Sequence, residues 1–159
     1  MIRGDDGFRA YGRGDVVFRM PRLPDGKFKS LTSSIIGAAI EVHRHLGPGL
    51  LESTYEDCLE WELKEGGIAV ARQVKVPLMY KGRTLDSSYR LDLLVDQTVI
   101  VDVKAVDRVA DIHGAQILTY LRLTSVEVGL LINFNSPMLR DGIKRFVLPS
   151  IVSRDPAGA

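Results

Sequence analysis

Two short apolar runs joined by three residues constrain the fold of this chain more than any other feature. The runs are residues 91–95 and 99–103, and the connection is residues 96–98. Their composition and alternation predict two β-strands joined as an antiparallel hairpin. Matching the apolar residues pairs Leu91 with Val103 and Leu93 with Val101. Because directly opposed residues point to the same side of a sheet, that register predicts Asp92 opposite Asp102.

Lys104 follows Asp102 by two residues, so both side chains are expected on one face of the second strand. Two carboxylates and a lysine are costly to remove from water, which favours a bound cation or substrate that compensates them. Oxygen ligands without a thiolate suit Mg²⁺ or Mn²⁺. The alternative is a surface ion pair on a solvated face, and spacing alone leaves both interpretations open.

The preceding segments predict two helices. Leu31 begins a run with apolar residues at helical spacing, which ends at Gly47. The expected buried face consists of Ile36, Ala39, Ile40, His43 and Leu46. A second helix carries Glu52 at its start and Tyr55, Leu59 and Leu63 along the same face. Ser53 and Glu56 also match a capping box, which would place Glu52 just before the first turn.

The remaining pattern completes an α+β domain. An extended segment is predicted over residues 74–80, followed by a turn at Lys81 and Gly82. A helix is predicted over 111–124 and a buried strand over 128–134, and residues 142–147 suggest one more strand. The order is helix, three strands, helix, strand, with an extra helix in front.

The chain of 159 residues, 45% hydrophobic, is expected to form one domain over residues 31–148. Residues 149–159 are expected to be a tail, and residues 1–30 a weakly ordered extension. The extension carries an excess of basic over acidic residues and could touch a phosphate backbone. The blander interpretation is a variable leader, with Met20 as the true start.

Charge and cysteine content exclude some classes of protein. A net charge of +1 argues against a binder that grips a polyanion by charge alone. The single cysteine, Cys58, excludes an internal disulfide and a thiolate zinc cage and indicates a reducing compartment, for which the cytoplasm is the expectation. No apolar stretch is long enough for a membrane helix, so no membrane partner is expected.

Gly49, Glu52 and Tyr55, within Gly-Leu-Leu-Glu-Ser-Thr-Tyr, resemble the signature of the GxxExxY protein family. The resemblance extends from Leu31 to Val147 through the phrases Tyr-Arg-Leu-Asp-Leu, Val-Ile-Val-Asp-Val-Lys-Ala-Val and Leu-Leu-Ile-Asn-Phe-Asn. That family is placed in the PD-(D/E)XK nuclease superfamily. The resemblance therefore implies a restriction-endonuclease-like αβββαβ core, with a central mixed sheet flanked by helices.

The resemblance also implies a set of site residues. The metal would be held by Glu52, Asp92, Asp102 and the carbonyl of Val103. Lys104 would orient or deprotonate the attacking water, and Gln116 with Tyr120 resembles the Gln-X-X-X-Tyr motif, in which the glutamine borders the metal and the tyrosine supports substrate or packing. Glutamate is the commoner residue at the position of Asp102, so the shorter side chain could shift the metal.

Two further histidines are open to alternative interpretations. His113 precedes Gln116 by three residues and could contact a phosphate or simply lie on the surface. His43 could lean toward the metal, although a hydrogen-bonded boundary histidine is the simpler interpretation.

The leading hypothesis is a nuclease dependent on Mg²⁺ or Mn²⁺ that acts on DNA or RNA. The alternative is a catalytically silent module of the same fold that binds nucleic acid or protein. A homodimer or a partner protein could supply contacts that so small a surface lacks. A serine or cysteine hydrolase finds no support, because the sequence has neither a Gly-X-Ser-X-Gly elbow nor a credible cysteine and histidine pair.

Overall fold

The computed structural model describes residues 27–86 and 89–148. The helices are α1 (Lys27–Leu46), α2 (Glu52–Glu65) and α3 (Asp111–Thr124), with a short 3₁₀ turn at Leu139–Gly142. The strands are β1 (Val70–Lys75), β2 (Leu78–Tyr80), β3 (Arg83–Leu85), β4 (Arg90–Val95), β5 (Val99–Lys104), β6 (Val128–Asn133) and β7 (Ile143–Val147). The expected N-terminal extension, apart from its last four residues, and the expected C-terminal tail lie outside the described residues.

A mixed five-stranded sheet forms the centre of the domain, in the order β1-β4-β5-β6-β7. Only β5 and β6 are parallel among these neighbours, and the other pairs are antiparallel. A parallel pair requires a crossover connection, which α3 supplies. The α+β architecture with a restriction-endonuclease-like sheet, expected from the pattern and the resemblance, is confirmed.

Each face of the sheet has its own hydrophobic core. One core joins α1 and α2 to the sheet, through residues such as Ile35, Tyr55 and Leu93. The other joins α3 to the opposite face, through residues such as Ile117 and Ile100. All six residues of β6 are buried, as expected for a strand covered on both faces.

The predicted hairpin register is confirmed for Leu93 with Val101 but is wrong for Leu91 with Val103, which do not pair and lie in the hydrophobic cores of opposite faces because the strands separate at Asp92. Leu93 pairs with Val101, and Val95 pairs with Val99. Residues 96–98 form the connection, and Asp96 and Gln97 both have positive φ angles, 48° and 57°. Positive φ at both positions matches the right-handed twist of the flanking strands.

The predicted first strand is in reality two structures. Residues 70–75 form β1 at the edge of the main sheet, while β2 and β3 form a separate two-stranded sheet. The sequence pattern over residues 74–80 predicts a single strand, because the alternation of apolar residues continues across Pro77 into the exposed hairpin.

The expected face of α1 is partly wrong. Ile40 and Leu46 are 45% and 39% exposed, while Thr32, Ile35, Ala39 and Val42 are buried. The buried stripe is therefore rotated toward Ile35 and Val42. The helix also begins at Lys27, four residues before the expected Leu31.

The capping box at Ser53 and Glu56 is wrong as well. Leu51 holds the N-cap position and gives no side-chain cap, so Glu52 is the first helical residue. Glu56 is buried and accepts hydrogen bonds from Arg72 Nη2 at 3.2 Å and from Gln73 Nε2 at 2.9 Å. The carboxylate that could have capped α2 instead joins the helix to β1.

Within the described ranges, the helices are all too short or too polar to cross a lipid bilayer. The cytoplasm stays a prediction from composition.

Candidate metal centre

Asp92 and Asp102 meet where the backbones of β4 and β5 separate. Regular pairing ends at Leu93 and Val101, and the next position of that register places Asp92 opposite Asp102. There, Asp92 Oδ2 accepts a hydrogen bond from the backbone N–H of Val103 at 2.8 Å. A side-chain carboxylate thus satisfies a strand N–H at the point where the ladder opens.

The surroundings of Asp92 favour its neutral form. Burial raises the pKa of the Asp92 carboxyl, and hydrogen bonding to Asp102 and the charge of Asp102 raise it further, to about 7. The N–H of Val103 and the Lys104 ammonium oppose the rise without cancelling it. Two carboxylates this close are difficult to ionise together without a cation.

Asp102 and Lys104 point to the same face of β5, as predicted. Lys104 Nζ lies 3.1 Å from Asp102 Oδ1, and both side chains are largely buried. The other oxygen, Asp102 Oδ2, is buried and receives no hydrogen bond. A buried carboxylate oxygen without a partner is expected to attract a cation.

Lys104 is held in its charged form. Burial alone lowers the pKa of Lys104, but the charges of Asp102, Asp92 and Glu52 and the hydrogen bond to Asp102 raise it above its ordinary value. The surface ion pair considered as an alternative is therefore replaced by a buried one, with only 15% of the Lys104 side chain exposed.

Glu52 stands at the border of this group. It is half-buried at the start of α2, and its Oε1 accepts a hydrogen bond from the N–H of Ala105 at 3.3 Å. The charge of Glu52 contributes to the raised pKa of Lys104. Across residues 27–86 and 89–148, no three carboxylate, histidine or cysteine side chains are close enough to form a metal cage. The structure therefore brings Asp92, Asp102 and Lys104 together and leaves Glu52 beside them.

Tyr55 fixes the loop in front of α2. Its hydroxyl donates to the carbonyl of Gly47 at 2.6 Å and accepts from the N–H of Leu50 at 3.1 Å. Its ring stacks on Phe134 with centroids 4.5 Å apart. The hydroxyl therefore braces the loop from which Glu52 enters the helix.

Asn133, which the sequence analysis did not single out, ties the end of β5 to the end of β6. Its Oδ1 accepts from the N–H of Val106 at 3.1 Å, and its Nδ2 donates to the Val106 carbonyl at 2.8 Å. The neighbouring N–H of Phe134 donates to the Lys104 carbonyl at 2.9 Å. A lone asparagine closing the buried run Val-Gly-Leu-Leu-Ile was the available signal, because a buried amide needs partners.

The predicted pair on α3 borders the acidic group. Gln116 Nε2 donates to the Tyr120 hydroxyl at 2.9 Å. Burial raises the pKa of Tyr120, the bond from Gln116 lowers it, and the charges of Asp102 and Asp92 raise it. Tyr120 therefore lies within the electrostatic field of both carboxylates.

The histidines have structural partners. His113 Nδ1 accepts from the N–H of Ala110 at 3.0 Å, so it caps the start of α3. His43 Nε2 lies 2.8 Å from the carbonyl of Ser136, which agrees with a boundary histidine bonded to the backbone. A phosphate contact of His113 stays a prediction.

Gln73 adopts a strained conformation beside the centre. Register places it opposite Asp92, because Arg72 pairs with Leu93 and Val74 pairs with Leu91. Adjacent strand residues normally point to opposite faces, yet Arg72 and Gln73 both reach Glu56 on α2. The φ angle of Gln73, 51°, accounts for this. The amide is thereby turned away from the face that carries Asp92, at a cost of about 1 kcal/mol.

The donor set fits a hard divalent cation. Asp92 and Asp102 offer carboxylate oxygens, one of which lacks a partner. Mg²⁺ is commonly bound by one or two carboxylates, with water and substrate phosphate completing its shell. A cation would also relieve the repulsion that raises the pKa of Asp92.

Comparison with known proteins places the chain in a family. No curated protein and no solved structure matches it significantly. A family model described as the PD-(D/E)XK nuclease superfamily matches residues 29–146, from the first turn of α1 to the penultimate residue of β7. The chain therefore belongs to the PD-(D/E)XK nuclease superfamily.

Proposed function

We propose that this protein hydrolyses phosphodiester bonds of DNA or RNA with the help of Mg²⁺ or Mn²⁺. The observation that carries the proposal is the convergence of Asp92, Asp102 and Lys104 on one face, with Asp102 Oδ2 buried and partnerless. Buried charge of this kind costs stability unless a ligand compensates it. Membership of a superfamily of metal-dependent nucleases supplies the reaction class.

Asp92 and Asp102 would hold the cation, with Glu52 and the carbonyl of Val103 as further ligands. A cation held there would supply polarisation of the scissile phosphate and a lower pKa for a bound water molecule. Glu52 keeps a bond to the Ala105 N–H, so its part as a ligand requires that bond to loosen or a water to bridge it.

Lys104 would orient the attacking water and offset negative charge that develops on the phosphate. Its raised pKa favours this role over that of a general base, because the surrounding carboxylates hold its proton. Gln116 would border the centre, and Tyr120 and His113 would contact the substrate on the side of α3.

Gly49, Glu52 and Tyr55 support a finer assignment to the GxxExxY family. Gly49 has a φ angle of 103°, which favours glycine, and Tyr55 braces the same loop. The signature residues would then maintain the conformation of the loop that positions Glu52 beside the metal centre.

One observation favours a second candidate, a silent module that binds nucleic acid or protein. In the described part of the chain, Glu52 does not join the two aspartates in a preformed three-ligand cluster. In such a module, the centre would bind no cation and cleave nothing. A homodimer or partner protein would then provide the function.

The experiment is cleavage of labelled single-stranded, double-stranded and branched DNA and RNA by purified protein, with Mg²⁺, with Mn²⁺ and with EDTA. Folded Asp92→Ala and Lys104→Ala variants are expected to lose cleavage, and Lys64→Ala, an exposed lysine on α2, is expected to keep it. Cleavage by all variants would identify a contaminant. No cleavage and no metal binding by the parent would favour the silent module.

A further inference from the structure

The β2–β3 hairpin exposes large side chains that no other element covers among the described residues. Met79 is 58% exposed, Tyr80 59% and Leu85 43%. The two strands pair with each other and stay outside the main sheet. An isolated two-stranded ribbon is marginally stable in water, and exposed apolar groups of this kind mark binding surfaces.

The same segment is basic although the whole chain is nearly neutral. Lys75, Lys81, Arg83 and Arg90 are all exposed, against one acidic residue, Asp86. These four basic residues, with Tyr80, Leu85 and Tyr89, are called the hairpin patch below. Within it, Lys81 Nζ lies 5.5 Å from the centroid of the Tyr80 ring, so a cation and an aromatic face stand together.

Tyr89 joins the hairpin patch to the candidate metal centre. Its carbonyl accepts a hydrogen bond from the N–H of Val76 at 2.9 Å, which closes the base of the hairpin. Its ring is 49% exposed and meets the edge of the Tyr120 ring, with centroids 6.5 Å apart. Tyr120 in turn lies in the field of Asp92 and Asp102. Aromatic and basic groups therefore lead from the hairpin to the acids.

We propose that the hairpin patch binds a single-stranded segment of nucleic acid and guides it to the centre. This deepens the proposed function, on which it rests, by naming the substrate class. Exposed tyrosine faces can stack only on bases that are unpaired, whereas duplex bases are already stacked on each other. The surplus of basic side chains complements a phosphate backbone and disfavours a second copy of the same patch.

The test is binding of a fluorescein-labelled oligothymidylate and of a duplex of equal length, measured by anisotropy in EDTA so that no cleavage intervenes. Tyr80→Ala and Tyr89→Ala should each weaken single-strand binding about fivefold or more. Tyr89→Phe, which keeps the ring, should bind as the parent does. Trp61→Ala removes an aromatic side chain that is 65% exposed on α2 and is the matched control, with no expected effect.

Salt dependence gives a second, independent measurement. Log affinity falls as log salt rises, and Lys81→Ala and Arg83→Ala should each make this slope less steep by about 0.7. That is the value for one lost contact to the phosphates of a single strand. Arg44→Ala, an exposed arginine on α1 that pairs with Glu41, should leave the slope unchanged.

Equal weakening by Trp61→Ala, parent-like binding by Tyr80→Ala and Tyr89→Ala, or tighter binding of the duplex would overturn the proposal. A parent that cleaves nucleic acid while the hairpin variants bind and cleave normally would overturn it and leave the proposed function intact. Hairpin-dependent single-strand binding by a parent that cleaves nothing would support the patch and count against the nuclease. A parent that binds neither probe would overturn the patch.

Discussion

Replacing Asp92 with asparagine should stabilise the metal-free protein at neutral and higher pH. The substitution keeps the shape of the side chain and an oxygen that can accept from the N–H of Val103, but it removes a negative charge beside Asp102. The carboxylate is costly there because it is partly buried and faces a second carboxylate.

The structure sets the size and sign of the effect. The pKa of Asp92 rises from 3.8 in the unfolded chain to about 7 in the folded protein. The folded state therefore holds the proton more tightly, and this contribution to stability is complete below about pH 4 and lost as pH rises to about 7. The shift corresponds to at most about 4 kcal/mol. Solvent screening and the weaker neutral hydrogen bond reduce the expected gain to about 1–2 kcal/mol.

The assay is urea unfolding of the parent and Asp92→Asn in EDTA, at about pH 4.5 and about pH 8. The variant should gain stability over the parent mainly at the higher pH. Excess Mn²⁺ should reverse the order, because the parent gains about 2.7 kcal/mol at a hundred times the dissociation constant. Asp107→Asn, at an exposed carboxylate, serves as control. The reasoning would be refuted if the parent and Asp92→Asn had equal free energies of unfolding at both pH values. It would also be refuted if the parent were more stable than the variant at the higher pH without metal.

Three further predictions concern other parts of the account. Lys104→Met should reduce cleavage by about 10²-fold or more while metal binding persists, as measured by single-turnover kinetics and calorimetry. Tyr55→Phe should lower the free energy of unfolding by about 1–2 kcal/mol, since two backbone groups of the loop before Glu52 lose their partner; unchanged urea unfolding would contradict this. Gly142→Ala should destabilise by about 1–3 kcal/mol, because its Cβ would lie 2.6 Å from the Asn133 carbonyl oxygen, and a parent-like thermal midpoint would argue against that close approach.

Hydrophobic alternation was sufficient to predict the centre of the fold. It predicted the pairing of Leu93 with Val101, one position before Asp92 and Asp102, and helical periodicity predicted α3 with the bounds that the structure shows. Both succeed because a slip of one residue would move a whole apolar set into water. The side-chain direction of Lys104 follows from the same alternation.

The parts that were missed depend on contacts between distant segments. The turn of Gln73 toward Glu56 requires a left-handed conformation that its residue type does not favour. The separation of β2 and β3 from the main sheet could not be predicted. Apolar and polar residues alternate in a similar way along an exposed strand and along a strand of the main sheet. The bonds of Asn133 to Val106 join segments 27 residues apart, which local periodicity does not detect.

Calorimetric titration of Mn²⁺ into the parent, Asp102→Asn and Lys104→Met tests the central claim most directly, because it measures whether the two aspartates hold a cation. We expect one site in the parent, at least about tenfold weaker binding in Asp102→Asn, and retained binding in Lys104→Met. Equal binding by the parent and Asp102→Asn, or no binding by the parent, would contradict the assignment of a metal centre to these residues.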